Sequence, residues 1–310
     1  MKGIWLEEGQ LDYRDDLPMP VCATGELLVE VKYAGICGTD MELQQGYYQF
    51  KGILGHEFVG RIVSGTRQGQ RVVADINLGC GECQQCQQGL HRHCPDRKVI
   101  GIKNRSGAFA EYLAIPECNL LTVPDGLPDF LAVLVEPTAA AFEILEQLED
   151  KIPDRVLVVG SGRLGLLVAH VLSSAGTEVS LLVRNAVRAQ HIQDRRIQVI
   201  EDPGNMLFPM AVECSASQAG FATALKSLQP RGTLVLKSTF PDLSEFDLGA
   251  VMVNEINLLG SRCGPMQRAI DWLAEGHFEE PSIQTLGFEA CDKAFQYAND
   301  PAIYKVLLHP

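Results

Sequence analysis

The sequence predicts an α/β protein in two parts, a β-rich part and a doubly wound parallel sheet. Three observations predict it. Up to about residue 125 the chain is rich in Gly, Pro and short β-type runs: Leu27 to Lys32, Phe58 to Val63, Arg71 to Ala74 and Ala110 to Ala114. Short runs punctuated by turn residues read as strands. Past residue 150 the pattern changes. The apolar runs Arg155 to Val159, Glu178 to Val183, Ala211 to Cys214 and Thr233 to Lys237 alternate with helix-like stretches such as Phe221 to Leu228. That alternation argues for parallel strands with helices on the sheet faces. Between the two parts, Leu131 to Leu148 reads as a helix with Pro137 near its start or at a kink. From about residue 265 the chain is expected to return to the first part, with a helical stretch at Phe288 to Ala298 and a last strand at Lys305 to Leu308. The expected domains are therefore 1–135 with 265–310, and 136–264.

Composition narrows the function. A chain of 310 residues can hold two sizeable cores, and 46% hydrophobic with 21% charged residues is ordinary for a globular protein. A net charge of −13 repels phosphate backbones and argues against a nucleic-acid partner, while leaving room for a local basic pocket. The N-terminal segment carries acids early and has no signal-like apolar core, and no apolar run reaches the ~18 residues of a membrane span. A cytoplasmic protein without a membrane partner is expected.

Four of the ten cysteines, Cys80, Cys83, Cys86 and Cys94, are spaced C-x2-C-x2-C-x7-C. Thiolates so spaced can converge on one tetrahedral Zn²⁺. Four sulfurs leave no open position, so such a site is structural. Two disulfides or four free thiols are the alternatives.

Gly160-Ser161-Gly162-Arg163-Leu164-Gly165 follows an apolar strand and opens a helix. That is the setting the dinucleotide fingerprint of a Rossmann sheet requires, with the pyrophosphate at the helix N-terminus. An NAD site usually carries an acid at the end of the second strand, to hold the ribose 2′-OH. Here Arg184 stands there, with Arg188 one turn on, and no acid comes before Asp194. Guanidinium groups suit a 2′-phosphate, so NADP(H) is expected over NAD(H). The alternative is two solvated arginines.

Three further fragments complete the pattern: Gly35-Ile36-Cys37-Gly38-Thr39-Asp40, Gly55-His56-Glu57 and Val135-Glu136-Pro137. With the cysteine loop and the glycine turn, in this order, the chain resembles the zinc-dependent medium-chain dehydrogenase/reductase family over nearly its whole length. The resemblance implies a GroES-like catalytic domain joined to the Rossmann domain, with the substrate cleft between them. It makes Cys37, His56 and Glu136 ligands of a catalytic zinc, with Glu57 ligating directly or exchanging with bound water. Many alcohol dehydrogenases of the family carry Cys at the third position, and Glu136 is similar to the polyol, sugar and threonine branches. Thr39 matches the hydroxyl that begins the family's proton relay. Glu42 stands where many relatives have a relay His, so it is either a relay carboxylate or an exposed acid. Cys214 is expected near the nicotinamide ring.

The implied activity is hydride transfer between a nicotinamide cofactor and a small alcohol, polyol or sugar, or the matching carbonyl. Two zinc ions per chain and a homodimer or homotetramer are implied with it. A zinc-free quinone or enoyl reductase, and a non-catalytic cofactor sensor, are the competing readings. One departure is visible. The stretch from Arg184 to Ala211 is short for helix, strand and helix, so a trimmed Rossmann domain is expected, with a smaller sheet or an exposed edge.

Overall fold

The computed structural model describes residues 1–184, 192, 194–239, 247–278 and 282–310. Contacts divide the chain into two compact units, Met1–Glu136 with Met266–Pro310, and Pro137–Pro265.

The first unit is built on a seven-stranded sheet. Its path runs β10 (Leu120–Thr122), β6 (Arg71–Ala74), β5 (Glu57–Ile62), β3 (Glu26–Gly35), β18 (Lys305–His309) and β17 (Ile283–Gly287), and β9 (Tyr112–Pro116) also pairs with β3. Along β3, Val29 and Val31 are buried while Glu30 and Lys32 are exposed, the period of two that a half-buried strand requires. Ten residues let β3 pair with three strands: β9 from Glu26, β5 from Val29, and β18 at Ala34 and Gly35. The expected run Ala110 to Ala114 forms a strand two residues later, as β9, in register with Glu26–Glu30. A three-stranded sheet of β2 (Gln10–Arg14), β1 (Gly3–Glu7) and β4 (Gly52–Ile53), and the pair β7 (Asn77–Leu78) and β8 (Lys98–Val99), complete the strands.

The helices α1 (Gly38–Gln44), α2 (Gln84–Gln87), α3 (Asp129–Ala132), α8 (Met266–Ala274) and α9 (Cys291–Ala298) belong to this unit. α9 buries Cys291, Ala294, Phe295 and Ala298, a stripe at helical spacing. Phe295 meets Phe109 edge-on at 6.3 Å between ring centres. The expected helix at 131–148 is split into α3 and α4 (Val135–Gln147). Pro137 lies in the first turn of α4, where its missing N–H forfeits no helical bond.

The second unit is a six-stranded sheet, parallel throughout, in the order β13 (Ile197–Ile200), β12 (Glu178–Leu182), β11 (Arg155–Val159), β14 (Phe208–Glu213), β15 (Leu228–Leu236), β16 (Asn257–Gly260). Val156, Leu157 and Val158 have no exposed surface, as expected of a strand covered on both faces. The strand order reverses between β11 and β14, the switch point where such sheets bind ligands. α5 (Arg163–Ser174) links β11 to β12, α6 (Gln218–Lys226) links β14 to β15, and α7 (Leu248–Val253) precedes β16.

The trimming falls at the connection from β13 to β14, where residues 201–207 hold no helix. α6 packs on β11 as well as on β14 and β15. Phe221 of α6 is fully buried beside Leu157, Phe208 and Leu234, and a side chain so buried contributes about 1.5–3 kcal/mol. The sheet is not shortened; its edge strand β16 leaves Leu258 exposed. Among the described residues, no helix is long and apolar enough to cross a membrane.

Candidate functional site

Cys37 is the N-cap of α1, at the point where the chain leaves β3. Asp40, three residues on, is fully buried. Its carboxylate accepts hydrogen bonds from the backbone N–H groups of Cys37 (2.8 Å) and Gly55 (3.2 Å), and its Oδ1 stands 3.4 Å from His56 Nδ1. A carboxylate in the first turn suits the positive end of the helix and satisfies an otherwise open N–H. One side chain thus draws the start of α1 to the segment before β5. The Cys37 sulfur, a His56 ring nitrogen and a Glu57 carboxylate oxygen consequently lie within 4.8 Å of one another.

The electrostatics favour a cation here. Burial opposes a charge on His56, but Asp40 and then Cys37 outweigh it and hold the imidazole pKa well above its ordinary value. A field that attracts a proton so strongly also attracts a metal ion. One sulfur, one nitrogen and one oxygen are a zinc donor set with room for a further ligand. Asp40 would then act through His56, fixing its ring as outer carboxylates commonly do.

Glu57 has a second partner. Its carboxylate pairs with the ammonium of Lys305, and the two side chains are 1% and 2% exposed. Gly35 makes room for the pair. A Cβ at that position would stand 2.6 Å from Lys305 Cε and 3.0 Å from Glu57 Oε2.

Glu136, in the first turn of α4, lies outside the 4.8 Å group but feels the same charges. Burial pushes its carboxyl up to about 7, with His56 opposing and Glu57 and Asp75 reinforcing the shift. Thr39 and Glu42 are half-buried on α1 and share a helix face at a spacing of three.

The other cluster is complete. The sulfurs of Cys80, Cys83, Cys86 and Cys94 lie within 4.8 Å of one another, and all ten cysteines are free. The Cys80 N–H points at Cys94 Sγ (3.4 Å) and the Cys83 N–H at Cys80 Sγ (3.3 Å). Backbone N–H groups, Glu82 first and then Cys83, pull the Cys80 thiol down to about 7. Amides aimed at sulfur stabilise the thiolates that zinc requires. The loop is anchored by Asp75, which bonds His91 (3.0 Å) and Arg92 (3.2 Å). Burial works against that carboxylate, yet His91, the Asn77 N–H and Arg92 hold it down at about 2.

In the second unit the glycine turn has the shape of a phosphate cradle. Gly160 has φ +109°, and a Cβ there would stand 2.9 Å from the Cys214 carbonyl. A Cβ on Gly165 would lie 1.9 Å from Gly160 O. Only glycine lets the turn lie this flat on α5, whose N-terminal N–H groups then face the position of a pyrophosphate. Gly162 is the N-cap, and Arg163 and Leu164 open α5 half-buried. Cys214 follows β14, and its N–H donates to Val159 O (2.9 Å), beneath the turn. Arg184 is exposed just past β12, with Nη2 3.4 Å from Ser217 Oγ. Arg188 lies outside the described residues. Gly165→Ala is expected to weaken nicotinamide-nucleotide binding about 100-fold, since overpacking of this kind costs up to about 3 kcal/mol. Fluorescence titration checks it, and zinc content should not change.

Sequence reasoning assigned no role to Asp40 or Lys305. Asp40 lay inside a fragment already singled out, and its position three residues past the cap was the available signal. Lys305 opens the otherwise apolar run Lys305–Leu308, where a lysine reads as a solvated strand end.

Residues 23–125 match the model of the alcohol dehydrogenase GroES-like domain, and residues 156–235 match that of ketopantoate reductase PanE/ApbA. An L-threonine 3-dehydrogenase of Mesorhizobium japonicum is 28% identical over 284 residues, 83% of this chain and 80% of that protein. An Escherichia coli CFT073 structure, described as a short chain alcohol dehydrogenase complexed with NADH, superposes with a TM-score of 0.89 at 26% identity, covering 100% of this chain and 99% of that one. A zinc-binding dehydrogenase of Sinorhizobium meliloti 1021, bound to NADP, superposes at 0.86 with 27% identity and the same coverage. With the zinc-type donor sets and the glycine cradle in place, these likenesses support the zinc-dependent medium-chain dehydrogenase/reductase family for this chain.

Proposed function

We propose that this protein is a zinc-dependent oxidoreductase that moves hydride between NADP(H) and a small alcohol, polyol or sugar, or the matching carbonyl. The observation that carries this reading is the convergence of Cys37, His56 and Glu57 on one small buried volume beside a strongly perturbed Glu136. Cys37, His56 and Glu136 would hold a catalytic zinc, with Glu57 as an exchanging or outer carboxylate. Cys80, Cys83, Cys86 and Cys94 would hold a second, structural one. Bound at the first site, zinc supplies Lewis-acid activation of the substrate oxygen. The chain's own residues do the rest. Asp40 orients His56, and Lys305 holds Glu57. Thr39 accepts the substrate hydroxyl proton and Glu42, on the same face of α1, passes it outward.

The test is the initial rate of NADPH and NADH formation with a panel of alcohols, polyols and aldoses, before and after chelation. Chelator-sensitive turnover is the expected result. Activity that survives complete removal of metal would defeat the proposal.

The choice of NADP(H) rests on Arg184 in the place of an acid. The two solved relatives carry NADH and NADP, so likeness alone does not choose. Charge-assisted bonds are worth about 1.5–3 kcal/mol each, so Arg184→Asp should weaken NADPH binding about 10- to 100-fold and leave NADH binding nearly unchanged. Equal losses for both would show that Arg184 does not read the phosphate.

We infer a homodimer or a homotetramer as well. The edge strand β16, Asn257-Leu258-Leu259-Gly260, has no charge or proline to guard it, and Leu248, Met252 and Val253 of α7 are 64%, 75% and 75% exposed. Light scattering on the Leu258→Lys variant checks it, the expected outcome being smaller assemblies. Ten free cysteines suit a reducing compartment such as the cytoplasm.

A further inference from the structure

Arg184 and Ser217 meet at the carboxyl end of the parallel sheet. Arg184 stands two residues past β12 and Ser217 four residues past β14, and those strands flank β11 on either side. Strands so placed are about 10 Å apart, and the contact from Arg184 Nη2 to Ser217 Oγ (3.4 Å) closes that gap. The glycine turn leaves β11 between them and is tied to both neighbours. The Gly160 N–H donates to Leu182 O (3.2 Å) at the end of β12, and the Cys214 N–H, just past β14, donates to Val159 O (2.9 Å). Arg184 and Ser217 therefore stand beside the turn, at the switch point where a dinucleotide binds.

A chain of side chains holds Ser217 in place. Glu213, at the end of β14, has no exposed surface. Its Oε1 accepts from the Ser215 N–H and from the Ser215 hydroxyl, both at 2.6 Å. Ser215 Oγ lies 2.9 Å from Ser217 Oγ. A serine hydroxyl has one hydrogen, and Ser215 uses it on Glu213, so the Ser217 hydroxyl donates to Ser215. The Ser217 oxygen is left as an acceptor, for the Gly220 N–H that it caps (3.1 Å) and for Arg184. The bonds thus run in one direction, from the guanidinium to the buried carboxyl, and bonds aligned in this way strengthen one another. The backbone is bent to build the chain. Ala216 has φ +52°, in the left-handed region, and its N–H donates to Ser238 Oγ (3.2 Å). A Cβ on Gly220 would stand 1.9 Å from Ser215 Oγ, so only glycine leaves room for that hydroxyl. Strain of this kind persists where the surroundings over-determine it.

We propose that Ser217 is a positioning residue that sets the preference for NADP(H), by holding the Arg184 guanidinium ready for the ribose 2′-phosphate. The inference rests on the NADP(H) reading above. Arg184 is exposed, and an exposed arginine samples many rotamers and loses that freedom when it binds a ligand. Fixing it beforehand reduces the loss. Among the described residues the guanidinium bonds Ser217 alone, so the rest of its fork is left for paired bonds to a phosphate. NADH carries a hydroxyl where NADPH carries the phosphate, and it gains little from a guanidinium held there. Ser217 acts through Arg184 and on one nucleotide only.

The experiment measures dissociation constants of NADPH and NADH by fluorescence titration, with thermal unfolding alongside. It uses the native protein, Ser217→Gly, Ser217→Asp, Arg184→Asp and the double variant Ser217→Gly with Arg184→Asp. Glycine removes the hydroxyl at little cost to the cap, and aspartate caps a helix as well as serine does, so the melting temperatures should stay close to the native value. Ser217→Gly should weaken NADPH binding about fivefold, the size of one ordinary hydrogen bond, and leave NADH within about twofold. Ser217→Asp sets a carboxylate against Arg184 and should weaken NADPH binding about 10- to 100-fold, as loss of the arginine would. In the Arg184→Asp background, Ser217→Gly should change the NADPH-to-NADH ratio less than about twofold, because its effect passes through the arginine. A merely structural role would weaken both nucleotides alike, and that result overturns the proposal, as does an unchanged ratio in Ser217→Gly. Should Ser217→Gly fail to fold, Ser217→Asp decides: NADPH binding left unchanged overturns the proposal equally. If Arg184→Asp weakens both nucleotides alike, the NADP(H) reading falls and this proposal with it. If Arg184→Asp weakens NADPH alone while the Ser217 variants leave the ratio unchanged, this proposal falls by itself.

Discussion

Cys37→Ser is expected to lower turnover about a thousandfold, matching the several kcal/mol of transition-state stabilisation that a catalytic metal ion supplies. The substitution separates ligation from folding. Serine is a good N-cap, so α1 should still start at the same residue, and Asp40 should still accept the backbone N–H of position 37. The cysteine loop is built from other residues, so an ion held by its four sulfurs would stay. Elemental analysis should show zinc falling from two ions per chain to one, with an unchanged circular dichroism spectrum. Near-normal rates with both ions retained would remove Cys37 from the ligand set.

Lys305→Met is expected to destabilise the protein by about 3–5 kcal/mol, because it leaves the Glu57 carboxylate buried without its countercharge. The size follows from the burial. An exposed pair of the same composition would be worth less than about 1 kcal/mol. The double variant Glu57→Gln with Lys305→Met should recover most of the loss, since it buries neither charge. Urea unfolding of the four proteins gives the coupling energy directly. A single-variant loss below about 1 kcal/mol would mean that water reaches the pair. The same cycle bears on the metal centre. With its partner gone, Glu57 is free to turn toward the donor cluster, so zinc content should be retained while turnover falls.

Residues close in the chain were legible. The four cysteines of the loop fall within a short segment, and turn geometry limits where their sulfurs can go, so spacing alone implied a closed donor set. The glycine turn was legible for the same reason: Gly160, Gly162 and Gly165 act within one strand–turn–helix unit. The candidate ligands Cys37 and His56 were read only through resemblance, because the two fragments are joined by a carboxylate bond from Asp40 that no local pattern displays. Glu136 was named the same way. The shift of its carboxyl to about 7 depends on burial and on His56, Glu57 and Asp75, residues far away in the chain. The trimmed crossover was visible as a short count of residues between Arg184 and Ala211. That α6 packs on β11 as well as on its own two strands could not be counted.

The sequence by itself determined the two-part α/β plan, the position of the phosphate turn and the composition of the cysteine cluster. Periodicity, glycine placement and short ligand spacings act over one or two elements, and each is written in consecutive residues. The tertiary structure alone decided which charges are buried and what they face. Lys305 meets Glu57 because the last strand of the chain pairs with β3, which brings residue 305 beside residue 57. Lys237 is tied to Ala140, Ser261 and Arg262 because three strand ends converge there. Each of these is a long-range meeting made by a side chain. Electrostatic energy depends on separation and burial in space, and separation along the chain carries almost no information about either.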